Sequence, residues 1–141
     1  MKKVSILALM ALSLTGCSAK YDVAGLFESS GQAFVGNVAV SSMGQSGTID
    51  VSSLDGTVQC TGTSEVTKMP SGYSLIGAQG RASATCNDGR TFKIDFTQST
   101  ETGGNGQGID SNGGIMTLYF DSTSGLARSH LNQQRLNSLV Q

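Results

Sequence analysis

The sequence predicts a small all-β domain, an antiparallel meander that forms a barrel or a sandwich of about seven strands. Polar and apolar residues alternate along several short segments, which is typical of half-buried strands. Asp-Gly and Asn-Gly pairs separate these segments, and both pairs favour tight hairpin turns. The chain of 141 residues has 19 glycines and one proline, and its length suits a single domain. We place the β-domain at residues 33–121.

The strands are located by their alternation. The segment 91–97 is the clearest, because Phe92, Ile94 and Phe96 share one face and polar residues occupy the other. Gly77 and Gly80 interrupt another segment and indicate bulges or bends there. The predicted strands cover residues 33–42, 47–53, 57–66, 73–86, 90–97, 106–110 and 115–121.

Turn residues lie between these strands. Asp55-Gly56 follows the second strand, Asp88-Gly89 follows the fourth, and Asn112-Gly113 precedes the last. Asp, Asn and Gly tolerate the positive φ of hairpin turns, so consecutive strands are expected to be antiparallel neighbours. Many of the predicted interior residues are small, which predicts a tightly curved sheet without a roomy cavity.

Two cysteines fall within the β-domain. In the predicted register, Cys60 shares a face with Val58, and Cys86 shares a face with Ala82 and Ala84, so both sulfurs point into the apolar interior. In an exported protein such a pair is most simply a disulfide. It would close a loop of roughly 27 residues, for which chain entropy gives about 3.5 kcal/mol of stabilisation.

The C-terminal segment 122–141 is interpreted as either a short helix or a loose tail. It contains Leu131, Leu136 and Leu139, which suits a helix. The apolar positions spread widely around a helical wheel instead of forming one stripe, which favours a tail.

The N-terminus carries the pattern of an export signal. Lys2 and Lys3 precede an apolar run over 4–14, and the small residues Thr15 and Gly16 lead to Cys17. The run has about 11 residues, whereas a bilayer-spanning helix needs roughly 20. The Leu-Thr-Gly-Cys sequence resembles the lipobox of bacterial lipoproteins. We therefore assign residues 1–16 to a lipoprotein signal peptide and residues 17–32 to a lipidated N-terminus and tether.

This resemblance implies a location in the cell envelope. In bacterial lipoproteins the cysteine thiol becomes a diacylglyceryl thioether and the freed amine is acylated, with palmitate-type chains. Cys17 would be the first residue of the mature chain, and two or three acyl chains give a durable attachment. Ser18, in place of Asp, favours the outer membrane over the inner membrane. The expected partner is thus a membrane, reached through the lipid anchor.

Residues 56–114 carry a second resemblance. They contain Gly-x-x-x-Cys-x-Gly, then Gly-x-x-x-x-x-Cys-x-Asp-Gly-Arg, then Gly-x-Gly-x-Asp-x-x-Gly. This pattern is similar to that of small proteobacterial lipoproteins and covers under half of the chain. It implies a fold and no particular activity.

The charge of the mature chain argues against nucleic-acid binding. Removing Lys2 and Lys3 with the signal leaves seven of the nine basic residues against ten acidic ones, a formal charge of −3. Nucleic-acid binding requires a cationic face.

Two glycine-rich stretches approach the patterns of calcium sites. Residues 103–110 approach a calcium-binding nonapeptide, but Gly108 stands where Asp is required and there is one copy. Residues 110–115 begin like an EF-hand loop, but Ile115 replaces the essential Gly. We predict no metal and no cofactor, and we interpret the glycine-rich sequence as part of a flexible hairpin loop instead of a calcium site.

Catalysis is not predicted either. His130 is the single histidine and lies in the C-terminal segment, without a nucleophile nearby in sequence. Asp50, Asp95 and Asp110 are expected on the outward faces of their strands, where solvated polar residues belong. We predict no catalytic residue.

The leading functional hypothesis is a non-catalytic module on the outer membrane that binds a ligand or an envelope protein, or supports the envelope structurally. One alternative is an inhibitor of a cell-wall-degrading enzyme, like the lipoproteins that inhibit lysozyme, although their loop signature is not matched around residues 57–68. Another alternative is an accessory lipoprotein of a secretion system or mobile element.

Overall fold

The structure is a computed structural model that describes residues 19–41 and 45–141. The predicted signal peptide at 1–16, the lipobox Cys17 and Ser18 lie outside the described residues. Within the described ranges, no helix has both the length and the apolar character that crossing a bilayer requires.

Eight strands form a closed antiparallel barrel in which each strand pairs with the next one and β1 pairs with β8. A helix follows the last strand. The elements are β1 Ala19–Phe27, β2 Ala33–Val40, β3 Ser46–Ser53, β4 Gln59–Lys68, β5 Gln79–Cys86, β6 Thr91–Gln98, β7 Gly103–Asp110, β8 Ile115–Asp121 and α1 Leu126–Leu139. The predicted all-β meander is confirmed, as a barrel of eight strands instead of about seven.

The additional strand is β1, which lies in the segment 17–32 that the sequence analysis assigned to a tether. Its second half is buried on both faces. Val23 and Phe27 pack in the barrel core, whereas Ala24 and Leu26 pack with residues of the helix. A strand covered on both sides has no reason to alternate polar with apolar residues. The tether assignment was wrong for this reason.

Two other boundaries differ from the prediction. The strand expected at 73–86 begins at Gln79, because residues 69–78 form a loop in which Gly77 has a φ of 94°. The strand expected at 106–110 begins already at Gly103, so the glycine-rich stretch considered as a flexible loop is a paired strand. Backbone hydrogen bonds to β6 and β8 hold β7 in the sheet, instead of side-chain packing.

Helix α1 packs on the outside of the barrel across β1 and β8. Ala127 and Leu131 are its two buried residues, and they lie in a cluster with Ala24, Leu26 and Ala33. The narrow contact explains why the sequence shows no broad apolar stripe. The segment forms a helix, one of the two predicted alternatives.

The barrel has two different ends. We call the end formed by loops 28–32, 54–58, 87–90 and 111–114 the closed end. The open end carries loops 69–78 and 99–102 and the start of β1. Gly125, just before α1, donates its backbone N–H to Asp22 Oδ2 at 3.0 Å, so the helix also begins beside the open end.

Three aromatic rings and one cation fill the closed end. Phe27, Phe34 and Phe92 pack with ring centroids 5.6 to 5.8 Å apart. The guanidinium carbon of Arg90 lies 5.5 Å from the Phe27 centroid and 5.8 Å from each of the other two. A cation over aromatic faces is attracted by their negative quadrupoles. This cluster seals the base of the barrel.

Polar partners orient Arg90 over the rings. Its guanidinium lies 2.8 Å from Asp88 Oδ2 and 3.6 Å from Asp110 Oδ2, and donates to Gln32 Oε1 at 3.0 Å. The Arg90 backbone N–H donates to Asp88 and holds the pKa of that carboxyl below its usual value. Asp110 is buried, so its predicted outward orientation was wrong. The inward positions beside it on β7 are glycines, which carry no apolar pattern from which orientation could be predicted.

The predicted disulfide joins Cys60 to Cys86. The two residues are direct partners across β4 and β5, and both side chains are buried in the core as the predicted register required. The bridge therefore ties two neighbouring strands together near the closed end.

Removing the disulfide should cost about 3.5 kcal/mol of unfolding free energy, because the unfolded chain regains the entropy of a loop of about 27 residues. We expect Cys60→Ala/Cys86→Ala to melt roughly 10 °C below the wild type. Differential scanning calorimetry with and without reductant measures this. Reductant should lower the wild-type Tm by a similar amount and leave the double variant unchanged. A wild-type Tm insensitive to complete reduction would contradict the prediction.

Substituting Arg90→Met should destabilise the protein by about 2 kcal/mol, since three rings lose their cation and the buried Asp110 loses a partner. Urea unfolding gives the change in midpoint. The matched control is Arg81→Met, which breaks the Arg81–Asp95 ion pair between largely exposed side chains and should cost less than about 1 kcal/mol. Equal effects of the two substitutions would refute the role assigned to Arg90.

Candidate ligand-binding cavity

The interior of the barrel holds a cavity of about 140 Å³. The cluster of Phe27, Phe34 and Phe92 bounds the cavity at the closed end, and the cavity reaches the surface at the open end. Its apolar lining residues include Val23, Phe34, Val38, Val40, Ile49, Val51, Val66, Ala82, Ala84, Ile94, Phe96, Met116, Leu118 and Phe120. An apolar cavity of about 150 Å³ can stay dry and bind a benzene-sized molecule.

The size of the inward-facing residues on each strand determines where the cavity lies within the barrel. Strand β7 contributes no residue to the lining, because its inward positions are glycines that neighbouring side chains cover. A Cβ on Gly104 would lie 2.8 Å from Phe120 Cζ, and one on Gly108 would lie 2.6 Å from Ile94 Cγ1. The large side chains of β6 and β8 therefore occupy the β7 side of the interior.

Two neighbouring strands carry small side chains at inward positions. Ser64 on β4 and Ala82 and Ala84 on β5 line the cavity, and they come from strands that also contain the inward Gly62 and Gly80. Ala82 is the direct cross-strand partner of Ile94 on β6, so space remains beside large side chains where these small ones do not fill it. The cavity is thus bounded by small side chains on β4 and β5 and by larger ones on β1, β2, β3, β6 and β8.

The polarity of the lining changes from the base to the mouth. Tyr21, Gln45, Ser46, Ser64 and Gln98 line the cavity, and all five lie near strand ends at the open end. These groups are neutral hydrogen-bonding side chains, and the base below them is hydrocarbon. Such a lining suits an uncharged, mainly apolar molecule with a polar group directed to the mouth.

Loop 69–78 borders the mouth. Met69, Leu75 and Ala78 line the cavity. Met69 and Leu75 are also partly exposed, and Tyr73 and Ile76 are exposed to solvent. The loop therefore covers part of the mouth and also presents apolar side chains outward.

Hydrogen bonds fix this loop at its C-terminal side. Ser74 Oγ and the Leu75 backbone N–H donate to the carboxylate of Glu101. The Gly77 N–H donates to the Gln98 carbonyl oxygen, and the Gln98 N–H donates to that of Ala78, both at 2.8 Å. The loop is held against the β6–β7 connection while its tip remains exposed.

The histidine and carboxylates considered in the sequence lie away from the cavity and from each other. His130 stacks on Tyr119 outside the barrel, with centroids 5.1 Å apart. Asp95 pairs with Arg81 on the outer face, Asp50 is exposed on β3, and Asp110 lies at the closed end. Among the residues that the structure describes, no three His, Cys, Asp or Glu side chains are grouped to hold a metal ion.

The cavity was not predicted as a site from the sequence. The small interior residues predicted an interior without a roomy cavity, and the volume is indeed below the roughly 300–1,000 Å³ of pockets for drug-sized ligands. The available signal was the run of small residues at inward positions of β4 and β5. These small residues predict a cavity only when the residues that face them across the barrel are known.

Comparisons with known proteins support the architecture. No protein-family model matches the chain, and no curated protein matches it. Solved structures of designed barrels are similar. The redesigned β-barrel mFAP1 bound to DFHBI has a TM-score of 0.57 at 16% identity, covering 73% of this chain and 92% of that one. A de novo designed fluorescence-activating β-barrel has a TM-score of 0.54 at 18% identity, covering 74% and 92%. At these identities the similarity concerns the fold alone.

Proposed function

We propose that this protein is a non-catalytic binding barrel of the cell envelope that carries a small, uncharged, mainly apolar molecule in its interior cavity. The observation that carries the proposal is the cavity itself, with a hydrocarbon base and a neutral polar mouth. Barrels of eight strands either fill their interior with side chains or hold one small ligand. Here the interior is only partly filled.

The energetics favour a modest affinity. Burying one methylene contributes about 0.8 kcal/mol, so a chain of six carbons gains roughly 5 kcal/mol. That free energy sets a lower limit of about 0.2 mM on the Kd, because association also costs translational and conformational freedom. A hydrogen bond from a mouth group such as Ser64 or Gln98 would add to this affinity. Ligands of higher affinity would therefore need a polar group at the mouth.

Similarity of fold gives limited further support. The redesigned barrel mFAP1 is described as bound to DFHBI, so a barrel of this architecture can be associated with a small molecule. The chemistry of the ligand proposed for this chain comes from its own lining residues.

We further propose that the chain is anchored through a lipidated Cys17 and that Ser18 directs it to the outer membrane. The proposal rests on the lipobox-like Leu14-Thr15-Gly16-Cys17 sequence. Disulfides such as the one between Cys60 and Cys86 are rare in cytosolic proteins, because thiols in the cytosol are kept reduced. The bridge therefore agrees with an exported protein.

A series of n-alkanols tests the cavity. We expect affinity, followed by NMR shifts of core methyl groups, to rise about fourfold per added methylene until the chain fills the available space. Ala82→Leu adds three carbons to the lining, so the rise should stop about three methylenes earlier.

The matched control for this experiment is Thr85→Leu, which places the same side chain on the outer face of the same strand. It should leave the alkanol series unchanged. Absence of saturable binding in the wild type, or an identical plateau in wild type and Ala82→Leu, would exclude the cavity as a ligand site.

Replacing Cys17→Ala tests the anchor. After expression in a Gram-negative bacterium, the wild type should fractionate with the outer membrane and carry the mass of its acyl chains, and the variant should lose both properties. Ser18→Asp, which preserves the anchor, should move the chain to the inner membrane. Retention of Cys17→Ala in the membrane would contradict a lipid anchor at this residue.

A further inference from the structure

We propose that the open end of the barrel rests on the bilayer, with loop 69–78 inserted at the level of the lipid headgroups, so that the cavity takes its apolar ligand from the membrane. This inference deepens the proposed function and rests on the lipid anchor at Cys17. It assigns an orientation to the barrel and a source to the ligand.

The length of chain before β1 restricts the orientation. Strand β1 begins at Ala19, and its first residues pair with the last residues of β2, such as Val40, at the open end. Cys17 is two residues earlier, and two residues span at most about 7 Å. An acylated Cys17 therefore holds the open end within a few ångströms of the lipid, whereas the closed end is the length of a strand away.

Loop 69–78 has the surface that such a position requires. Met69 and Ile76 are about half exposed, at 50% and 48%, and Tyr73 is fully exposed. Apolar groups together on one loop suggest an interaction surface, and tyrosine is favoured at membrane interfaces because its ring is apolar and its hydroxyl is polar. These side chains would enter the boundary between headgroups and acyl chains.

The charges around the mouth are compatible with this contact. Lys20 and Lys68 are exposed at the open end, where their ammonium groups can reach phosphate groups of the lipid. Three carboxylates at this end accept hydrogen bonds within the fold: Glu101 from Ser74 and Leu75, Asp22 from Gly125, and Asp121 from Thr102 and Thr123. Glu65 on β4 is exposed. The rim therefore offers two lysines to the headgroups, while three of these four acidic groups are engaged within the protein.

Most other exposed apolar residues of the described chain lie away from the proposed anchor. Leu136 and Leu139 are exposed on α1, and Leu136 is about 16 Å along the helix from Gly125 at the 1.5 Å rise per residue of a helix. Leu54 is exposed in a loop of the closed end, whereas Leu126 is partly exposed at the start of α1 beside the open end. Among the residues that the structure describes, loop 69–78 carries the largest group of exposed apolar side chains at the end of the barrel to which the anchor leads.

This orientation gives the cavity a direct route to hydrocarbon. Met69 and Leu75 line the cavity on the same loop that carries Tyr73 and Ile76 outward. A molecule that leaves the bilayer beneath this loop would pass from lipid to the apolar lining without crossing bulk water. The ligand class is therefore a membrane-dissolved amphiphile or hydrocarbon chain.

The absence of tryptophan from the sequence permits a clean test of orientation. Tyr73→Trp places a single fluorophore on the mouth loop, Leu139→Trp places one on the helix, and Leu54→Trp places one at the closed end. All three positions are exposed, so the substitutions should not disturb the core. Each lipidated chain is reconstituted into phosphatidylethanolamine–phosphatidylglycerol vesicles with either ordinary or dibrominated acyl chains.

Bromine quenches tryptophan at short range, so quenching reports contact with the lipid chains. We expect emission of the Tyr73→Trp variant to fall about twofold in brominated vesicles and to shift to the blue, with little change for the other two variants. Equal quenching at all three positions, or stronger quenching of Leu139→Trp or Leu54→Trp, would overturn the proposed orientation.

Failure of this inference is distinguishable from failure of the proposed function. A chain that remains on vesicles and binds alkanols, but leaves the Tyr73→Trp variant unquenched, would overturn the orientation alone. If the wild-type chain, once purified, is found to carry no acyl chains and does not remain on the vesicles, both the anchor and the orientation are overturned. Alkanol binding is measured separately and decides the cavity site.

Discussion

Pairing of β1 with β8 is the constraint on which the rest of the structure depends, because it converts a meander with two free edges into a closed barrel. Unpaired sheet edges expose backbone donors and acceptors and promote aggregation. The same strand buries Val23 and Phe27 in the core and Ala24 and Leu26 in the cluster with α1. It also begins at Ala19, at the open end. Closure, helix docking and the distance from the proposed anchor to the mouth are therefore set by one strand.

The closed end of the barrel provides stability, and the open end provides the binding site. At the closed end, Arg90 and three phenylalanine rings form a cluster with two ion pairs, and the disulfide lies on neighbouring strands. At the open end, loop 69–78 is held mainly by Glu101 and by backbone bonds at Gly77 and Ala78. Ligand-binding loops are commonly taken from the less stable parts of a fold. This arrangement lets the mouth adjust to a ligand while the base keeps the strands in register.

Sequence alternation predicted the strands that have one solvated face, because only those strands must alternate polar with apolar residues. It therefore identified 91–97, and the Asp-Gly and Asn-Gly pairs identified the turns around Asp88 and Asn112. Strand β1 was missed because both faces of its second half are covered. Strand β7 was predicted only in part, since glycine carries no polarity, and the orientation of Asp110 was lost with it. The cavity required knowledge of which inward residues face each other across a closed barrel. That relation depends on the register of all eight strands and is not local in sequence.

The cavity results from the way in which the barrel uses glycine. Gly104 and Gly108 on β7 leave room that Phe120 and Ile94 occupy, and the side chains of Ala82 and Ala84 on β5 are too small to fill the space that remains. An unfilled apolar cavity of about 140 Å³ costs at most about 3 kcal/mol, at roughly 24 cal/mol per Å³. That cost is similar to the stabilisation of about 3.5 kcal/mol expected from the disulfide. Departures from full core packing are expected at functional sites, and a ligand that fills this space would recover part of the lost contact energy.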